Sequence, residues 1–385
     1  MRILVTSLPD LPKINPQRAH HILNYLSKKH DITLLCINAW WLKELNDPFL
    51  KKSLENIKID YFSKRKLNPV VQEVLAGKNI KNLNLELDSF DIHINFNSLI
   101  AGFKLSKKVE APTVFDICDD LIDWISISPQ IPNIIKPIGK KTGYFMIKRN
   151  INASNKITCS LESLRDAYKI PIEKTNIIPN GVDTNLFKCN KENNIREKWN
   201  IPENTFLLGF VGFLGNWINL EPTFKVIRLL KDKYNIKLLI VGDGDNLLKY
   251  KRLSERLGII DSIIFTGNVN YQDVPKYISS MDVCLLPFDA SNVSQGALPI
   301  KLFEYMACEK PVISSHLINV KNIVEDLVIF AENSELEKKI IEFYNDENLR
   351  INMGKNGRIF VKNKYGWESI CNKFEKTLIK TIEEQ

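Results

Sequence analysis

Lys301 and Glu304 stand three residues apart in the stretch LPIKLFEYMACEKPVIS (298–314), a spacing that puts an ammonium and a carboxylate on one face of a helix opened by Pro299. A helix N-terminus offers unbonded backbone amides and the positive end of the peptide dipoles, so the turn at Pro299 and Ile300 favours an anion. A lysine there adds a point charge for phosphate, and a carboxylate one turn on can accept hydrogen bonds from ribose hydroxyls. The apolar strand before it (283–286) and the one begun by Pro311 complete the outline of a nucleoside-diphosphate site. The plain alternative is a solvated i, i+3 ion pair contributing about 0.3 kcal/mol.

A second cluster lies in VFDICDD (114–120), where a buried strand delivers Asp116, Asp119 and Asp120 to its C-terminal edge. Open α/β sheets bind ligands at that edge, and one of these carboxylates could act as a general base or clamp an acceptor hydroxyl. Asp119 or Asp120 could instead cap the following helix. Arg18, near the start of the first helix, could meet an anion or lie on the surface. His20 and His21 are adjacent and so point apart, which lets at most one face a cleft, and His93 falls inside a strand as a core histidine. No histidine stands close to the aspartates in sequence, so no metal is expected.

The elements that must hold these residues alternate. Residues 2–7, 31–37, 90–96, 111–117 and 156–161 read as strands, with helical patterns between several of them, which makes βαβ units and a parallel sheet. From 40 to 88 the pattern is weaker. The loop after the first strand, LPDLPKINPQ, has no glycine, so the dinucleotide fingerprint of a nicotinamide enzyme is absent there. A polar stretch (188–204) marks a domain boundary, and a second alternating series follows with glycine turns at Gly212, Gly215 and Gly242. A last amphipathic helix runs from about residue 363 to the end.

Composition narrows the class. A chain of 385 residues suggests two domains, and its seven scattered cysteines show neither a disulfide framework nor metal spacing. The net charge of +8 suits an anionic ligand or a membrane surface without selecting either. Dispersed lysines without an aromatic-basic module argue against nucleic acid. Neither a signal peptide nor a membrane span is visible, so the expectation is a cytoplasmic protein, with peripheral contact at the inner membrane face left open. KPIGKKTGYFMIKRNI (136–151) could lie on an anionic membrane or be a helix with one wet face.

Read together, IIPNGVDTNLF (177–187), LLIVGDGDNLLKYKRLSERLGIIDSIIFTGNV (238–269), YISSMDVCLLPF (277–288), LPIKLFEYMACEKPVIS (298–314) and the late YGW resemble the GT-B glycosyltransferases of the group 1, or GT4, type. The resemblance covers most of the second half and, more loosely, the first. It implies two Rossmann-like domains facing a cleft, an acceptor-binding domain (1–187), a nucleotide-sugar-binding domain (188–362) and a last helix (363–385) able to cross back. It further implies sugar transfer from a nucleoside diphosphate sugar to a glycan or lipid-linked acceptor hydroxyl, with retention and no metal. Lys301, with the backbone at Pro299, Ile300, Gly212, Gly215 and Gly242, would hold the diphosphate. Glu304 would fix the ribose, and Asp119 or Asp120 would orient the acceptor, an inverting variant with Asp120 as base being left open.

There are departures. The first of the family's two glutamates falls on Gly296, and the Arg and Lys that follow the first strand of the second domain are missing from GFLGNWIN (212–219). Trp217, VFDICDD and PIKLFEY resemble a bacterial branch associated with cell-surface polysaccharide or teichuronic-type synthesis. Two rivals remain, an epimerase or hydrolase of the same shape and a non-catalytic nucleotide-sugar-binding subunit.

Overall fold

Strands such as RILVTS and IHINF are too apolar to leave either face wet, the mark of parallel strands covered on both sides by helices. A computed structural model describes residues 1–78, 85–127, 132–190, 194–289 and 298–385. The chain divides into two compact units, Met1–Asn180 with Trp367–Gln385, and Gly181–Gly366.

In the first unit, β1 (Arg2–Ser7), β2 (Asp31–Cys36), β3 (Ile57–Tyr61), β4 (Ile92–Phe96), β5 (Thr113–Ile117), β6 (Lys156–Cys159) and β7 (Thr175–Ile177) form one sheet in the order β3-β2-β1-β4-β5-β6-β7. All its pairings are parallel, with Ile3 opposite Ile32 on one side and Ile92 on the other. β3 arises from the stretch of weak pattern. As an edge strand it is covered only in part, so IKIDY carries polar residues that a central strand could not.

The second unit repeats the scheme with β8 (Phe206–Val211), β9 (Ile236–Val241), β10 (Ile263–Gly267), β11 (Val283–Leu286), β12 (Val312–Ser314) and β13 (Ile329–Phe330), in the order β10-β9-β8-β11-β12-β13. Strand order reverses between β1 and β4 in one sheet and between β8 and β11 in the other. Crevices open at such reversals, beyond the carboxyl ends of the strands.

The break between units falls at Asn180–Gly181 rather than after Phe187. Residues 181–187 are held by the second unit, through Val182 N to Tyr365 O (2.8 Å) and Arg358 Nη1 to Phe187 O (3.0 Å). The last helix, Trp367–Glu383, belongs to the first unit. Trp367 stacks on His21 with ring centres 4.6 Å apart, and Glu375 accepts from Lys29 Nζ (2.9 Å) and pairs with His30 Nε2 (2.8 Å).

Candidate nucleotide site and acidic strand end

The Ile300–Ala307 helix is fixed by its apolar face. Leu302, Phe303, Tyr305 and Met306 are buried, and the Val211 amide donates to Tyr305 Oη (2.8 Å), which ties the helix to the last residue of β8. Its end is locked by Glu309 at φ 58°, with Lys310 N bonded to Tyr305 O (3.0 Å) across a left-handed cap. Pro299 precedes the first turn in extended conformation without a side-chain cap, so the Ile300 and Lys301 amides begin the helix without intrahelical acceptors.

This placement carries Lys301 to the reversal between β8 and β11. Its ammonium lies 4.4 Å from the ring centre of Phe210 on β8 and 5.8 Å from that of Phe288 just after β11. No carboxylate or carbonyl among the described residues accepts from it. Desolvation lowers its pKa to about 8, with the Glu304 charge opposing the shift. Glu304 is buried, accepts from Tyr271 Oη (3.1 Å), and is pushed up to about 7 by desolvation, against the pull of Tyr271 and Lys301. The two side chains share a face, yet no ion pair joins them. The solvated-pair alternative therefore does not describe them.

The glycine turns close over the same point. Gly212 follows β8 at φ +133°, and a Cβ there would come within 2.5 Å of Lys301 Nζ. Gly242 follows β9 at φ +133°, where a Cβ would meet the Gly212 carbonyl oxygen at 2.2 Å. Both positions need a residue without a side chain, for conformation and for space. Bonds from Gly212 N to Val241 O, Leu214 N to Asp243 O (both 2.9 Å) and Asn246 Nδ2 to Gly215 O (3.0 Å) stitch the two turns together. Gly215 lies beneath the Trp217 ring. Gly212, Gly215, Gly242, Pro299, Ile300, Lys301 and Glu304 thus gather at one end of one sheet. A cavity of about 550 Å³, lined by Asn219, Phe288, Asp289, Ser314, His316 and Glu332 among others, adjoins this region at Phe288.

In the first unit the aspartates separate by role. Asp116 is buried and held by Arg18, with Nε to Oδ2 and Nη2 to Oδ1 both at 3.0 Å, and by the Thr158 hydroxyl (2.6 Å). Arg18 also donates to Pro179 O (2.8 Å), so it is neither a surface residue nor free for an anion. Asp120 Oδ1 accepts from Ile122 N (3.0 Å) and Tyr168 Oη (2.7 Å), which makes it the cap of the Leu121–Ile127 helix. Asp119 alone of the three is exposed, and its Oδ2 accepts from Cys118 Sγ (3.6 Å). An accessible carboxylate at the carboxyl end of a strand can meet a hydroxyl. His20, His21 and His93 are buried and held neutral by desolvation, so neither member of the adjacent pair is available to a cleft.

Four similarities to known proteins bear on this geometry. The family model for glycosyl transferases group 1 matches residues 191–360, which contain the Lys301 site. Over that stretch the chain is similar to the group 1 glycosyl transferases. A putative teichuronic acid biosynthesis glycosyltransferase of Bacillus subtilis is 28% identical over 274 residues, 67% of this chain and 62% of that one. An uncharacterized glycosyltransferase of Methanocaldococcus jannaschii is 28% identical over 193 residues, 48% of this chain and 47% of that one. The chain thus spans about half to three-fifths of the length of these curated relatives. Anabaena HepE in complex with UDP-glucose superposes with a TM-score of 0.77 at 17% identity, covering 99% of this chain and 100% of that one, which establishes the GT-B fold.

At this site the sequence pointed to Lys301, Glu304 and the glycines but missed Phe210, Phe288 and Tyr271. Phe210 is the last but one residue of β8 and Phe288 lies two residues beyond β11, and beside those apolar strands both looked like core. Tyr271 sits in a short polar turn after β10, and only that position, at a strand's carboxyl end, could have drawn attention to it. The Gly296 position lies outside the described residues. No helix among the described residues is long and apolar enough to cross a membrane.

Proposed function

We propose that this protein transfers a sugar from a nucleoside diphosphate sugar to an acceptor hydroxyl, with retention of anomeric configuration and without a metal. The observation that carries this reading is the Lys301 ammonium, desolvated between Phe210 and Phe288, unmatched by any described protein acceptor, and facing Gly212, which has no side chain to cover it. Such a charge becomes most favourable when a diphosphate accumulates negative charge as it leaves. Lys301 and the Ile300 and Lys301 amides bind the diphosphate, and Glu304 accepts from the ribose. The cavity beside Phe288 gives the sugar room, and Asp119 orients the acceptor. UDP is the first nucleotide to test, because the similar HepE structure holds UDP-glucose. The Bacillus relative's name supports an acceptor in cell-surface polysaccharide synthesis, either a glycan or a lipid-linked glycan.

The test is UDP release from a panel of UDP-sugars, with and without a cell-envelope extract, in the presence of EDTA. Acceptor-dependent release that survives EDTA, with an α-linked product from an α-linked donor, is expected. Equal release without acceptor would make the protein a hydrolase. No release with any nucleotide sugar would overturn the reading.

A further inference from the structure

The Lys136–Ala153 helix takes no part in the site above, yet its surface is unlike that of an ordinary wet helix. Between Asp123 and Glu162 the sequence contains no acidic residue, while Lys136, Lys140, Lys141, Lys148 and Arg149 put five cations on the helix; Lys156, beyond it on β6, pairs with Glu384. One face is buried. Gly139 and Gly143 let the Leu121–Ile127 helix pack closely, a Cβ at Gly143 meeting Ile122 and Ile125 at 3.0 Å, and Ile147, Asn150 and Ile151 continue that stripe inward.

Away from that stripe the apolar residues are not covered. Ile134, in the short turn Asn133–Ile135 leading into the helix, is 86% exposed, Ile138 is 67% exposed and Phe145 is 56% exposed. Ile138 and Phe145 stand seven residues apart and so share a face. Among the cations, Lys136 and Lys148 donate to the carbonyls of Ser126 and Tyr168, and Arg149 stacks over Phe103 and Phe145. Lys140 and Lys141 have no protein acceptor among the described residues.

We propose that this helix docks the protein on an anionic lipid bilayer. Ile134, Ile138 and Phe145 enter the boundary between headgroups and acyl chains, and Lys140 and Lys141 meet lipid phosphates. Charge complementarity selects this occupant, since cations without a single carboxylate over the whole stretch flank apolar tips that phosphate alone would not engage. The proposal rests on the helix's own surface and not on the donor site.

Co-sedimentation of the full chain with vesicles tests it, comparing phosphatidylcholine alone with equal parts phosphatidylcholine and phosphatidylglycerol. Binding to the anionic vesicles only, weakened by salt, is expected. Lys140→Ala/Lys141→Ala should lower partitioning about 25-fold, at about fivefold per lysine. Ile138→Glu/Phe145→Glu should abolish it, with an unchanged melting curve and unchanged UDP affinity, which separates failure here from failure of the donor reading. Equal binding to neutral vesicles, or variants that bind as the wild type does, would overturn the proposal. So would light scattering that shows a wild-type dimer which the glutamate variant converts to monomer, because a second copy would then cover the face.

Discussion

Binding of a nucleoside diphosphate at Lys301 and Glu304 must move protons, in a direction set by pH. In the free protein desolvation brings Lys301 from 10.5 to about 8 and Glu304 from 4.5 to about 7. Each displacement, about 2.5 units by subtraction, corresponds to roughly 3 kcal/mol of lost preference for the charged form. A diphosphate pairs only with the ammonium, so binding above pH 8 takes up a proton, and affinity should fall by up to about tenfold per pH unit. A ribose needs the ionised Glu304 as acceptor, so binding below pH 7 releases a proton and weakens as pH falls. Affinity should therefore peak between about pH 7 and 8.

The same groups act on stability with definite signs. Glu304 is raised, so the folded state holds more protons than the unfolded between pH 4.5 and 7, and stability from this group is fully present below 4.5 and lost by 7. Lys301 is lowered, so its destabilisation is complete below pH 8 and fades as pH rises to 10.5. Calorimetric titration of UDP in buffers of unlike ionisation enthalpy counts the protons directly. Lys301→Arg keeps its cation at every accessible pH and should remove the alkaline limb. Glu304→Gln should remove the acid limb and leave only the ligand's own titration. Wild-type binding above pH 8 without proton uptake, or the same uptake in Lys301→Arg, would refute the reasoning.

Other residues give sharper local tests. Tyr271→Phe removes the one hydrogen bond that Glu304 accepts from a described residue, and should move the acid limb upward by about half a unit or more in the same titration; an unmoved limb would deny Tyr271 a part in tuning the carboxylate. Gly212→Ala places a Cβ at φ +133° against Lys301 Nζ, and should destabilise by about 1–3 kcal/mol in thermal melts while weakening UDP. Unchanged melting and affinity would show that the turn tolerates a side chain. Asp119→Asn should slow transfer by about a hundredfold or more with UDP affinity intact, whereas Asp120→Ala should chiefly cost about 1 kcal/mol of stability through the lost cap. Reversed effects would exchange the roles assigned to the two carboxylates.

Much of the fold could be read from uniform apolar strands, because a parallel strand covered on both faces writes its burial into consecutive residues. β3 escaped, since an edge strand is covered only in part and keeps a mixed pattern. At the site, helical spacing was enough to put Lys301 and Glu304 on one face. It could not tell an ion pair from two separately desolvated groups, because Phe210, Phe288 and Tyr271 arrive from distant strand ends. The first unit shows the same limit more strongly. Arg18 and Asp116 are 98 residues apart and each looked available to a ligand, yet they satisfy one another in the core. Asp119 and Asp120 are adjacent and chemically alike, so only the bonds from Ile122 and Tyr168 distinguish the cap from the exposed carboxylate.

The most direct test of the central claim is the dissociation constant of UDP for the wild type and for Lys301→Ala at about pH 7.5, within the affinity maximum. A loss of about a hundredfold in the variant, at an unchanged fold, is the result this account predicts, since a desolvated charge-assisted contact of this kind contributes about 3 kcal/mol. Equal affinity in the two proteins would contradict it and move the nucleotide away from the Ile300–Ala307 helix.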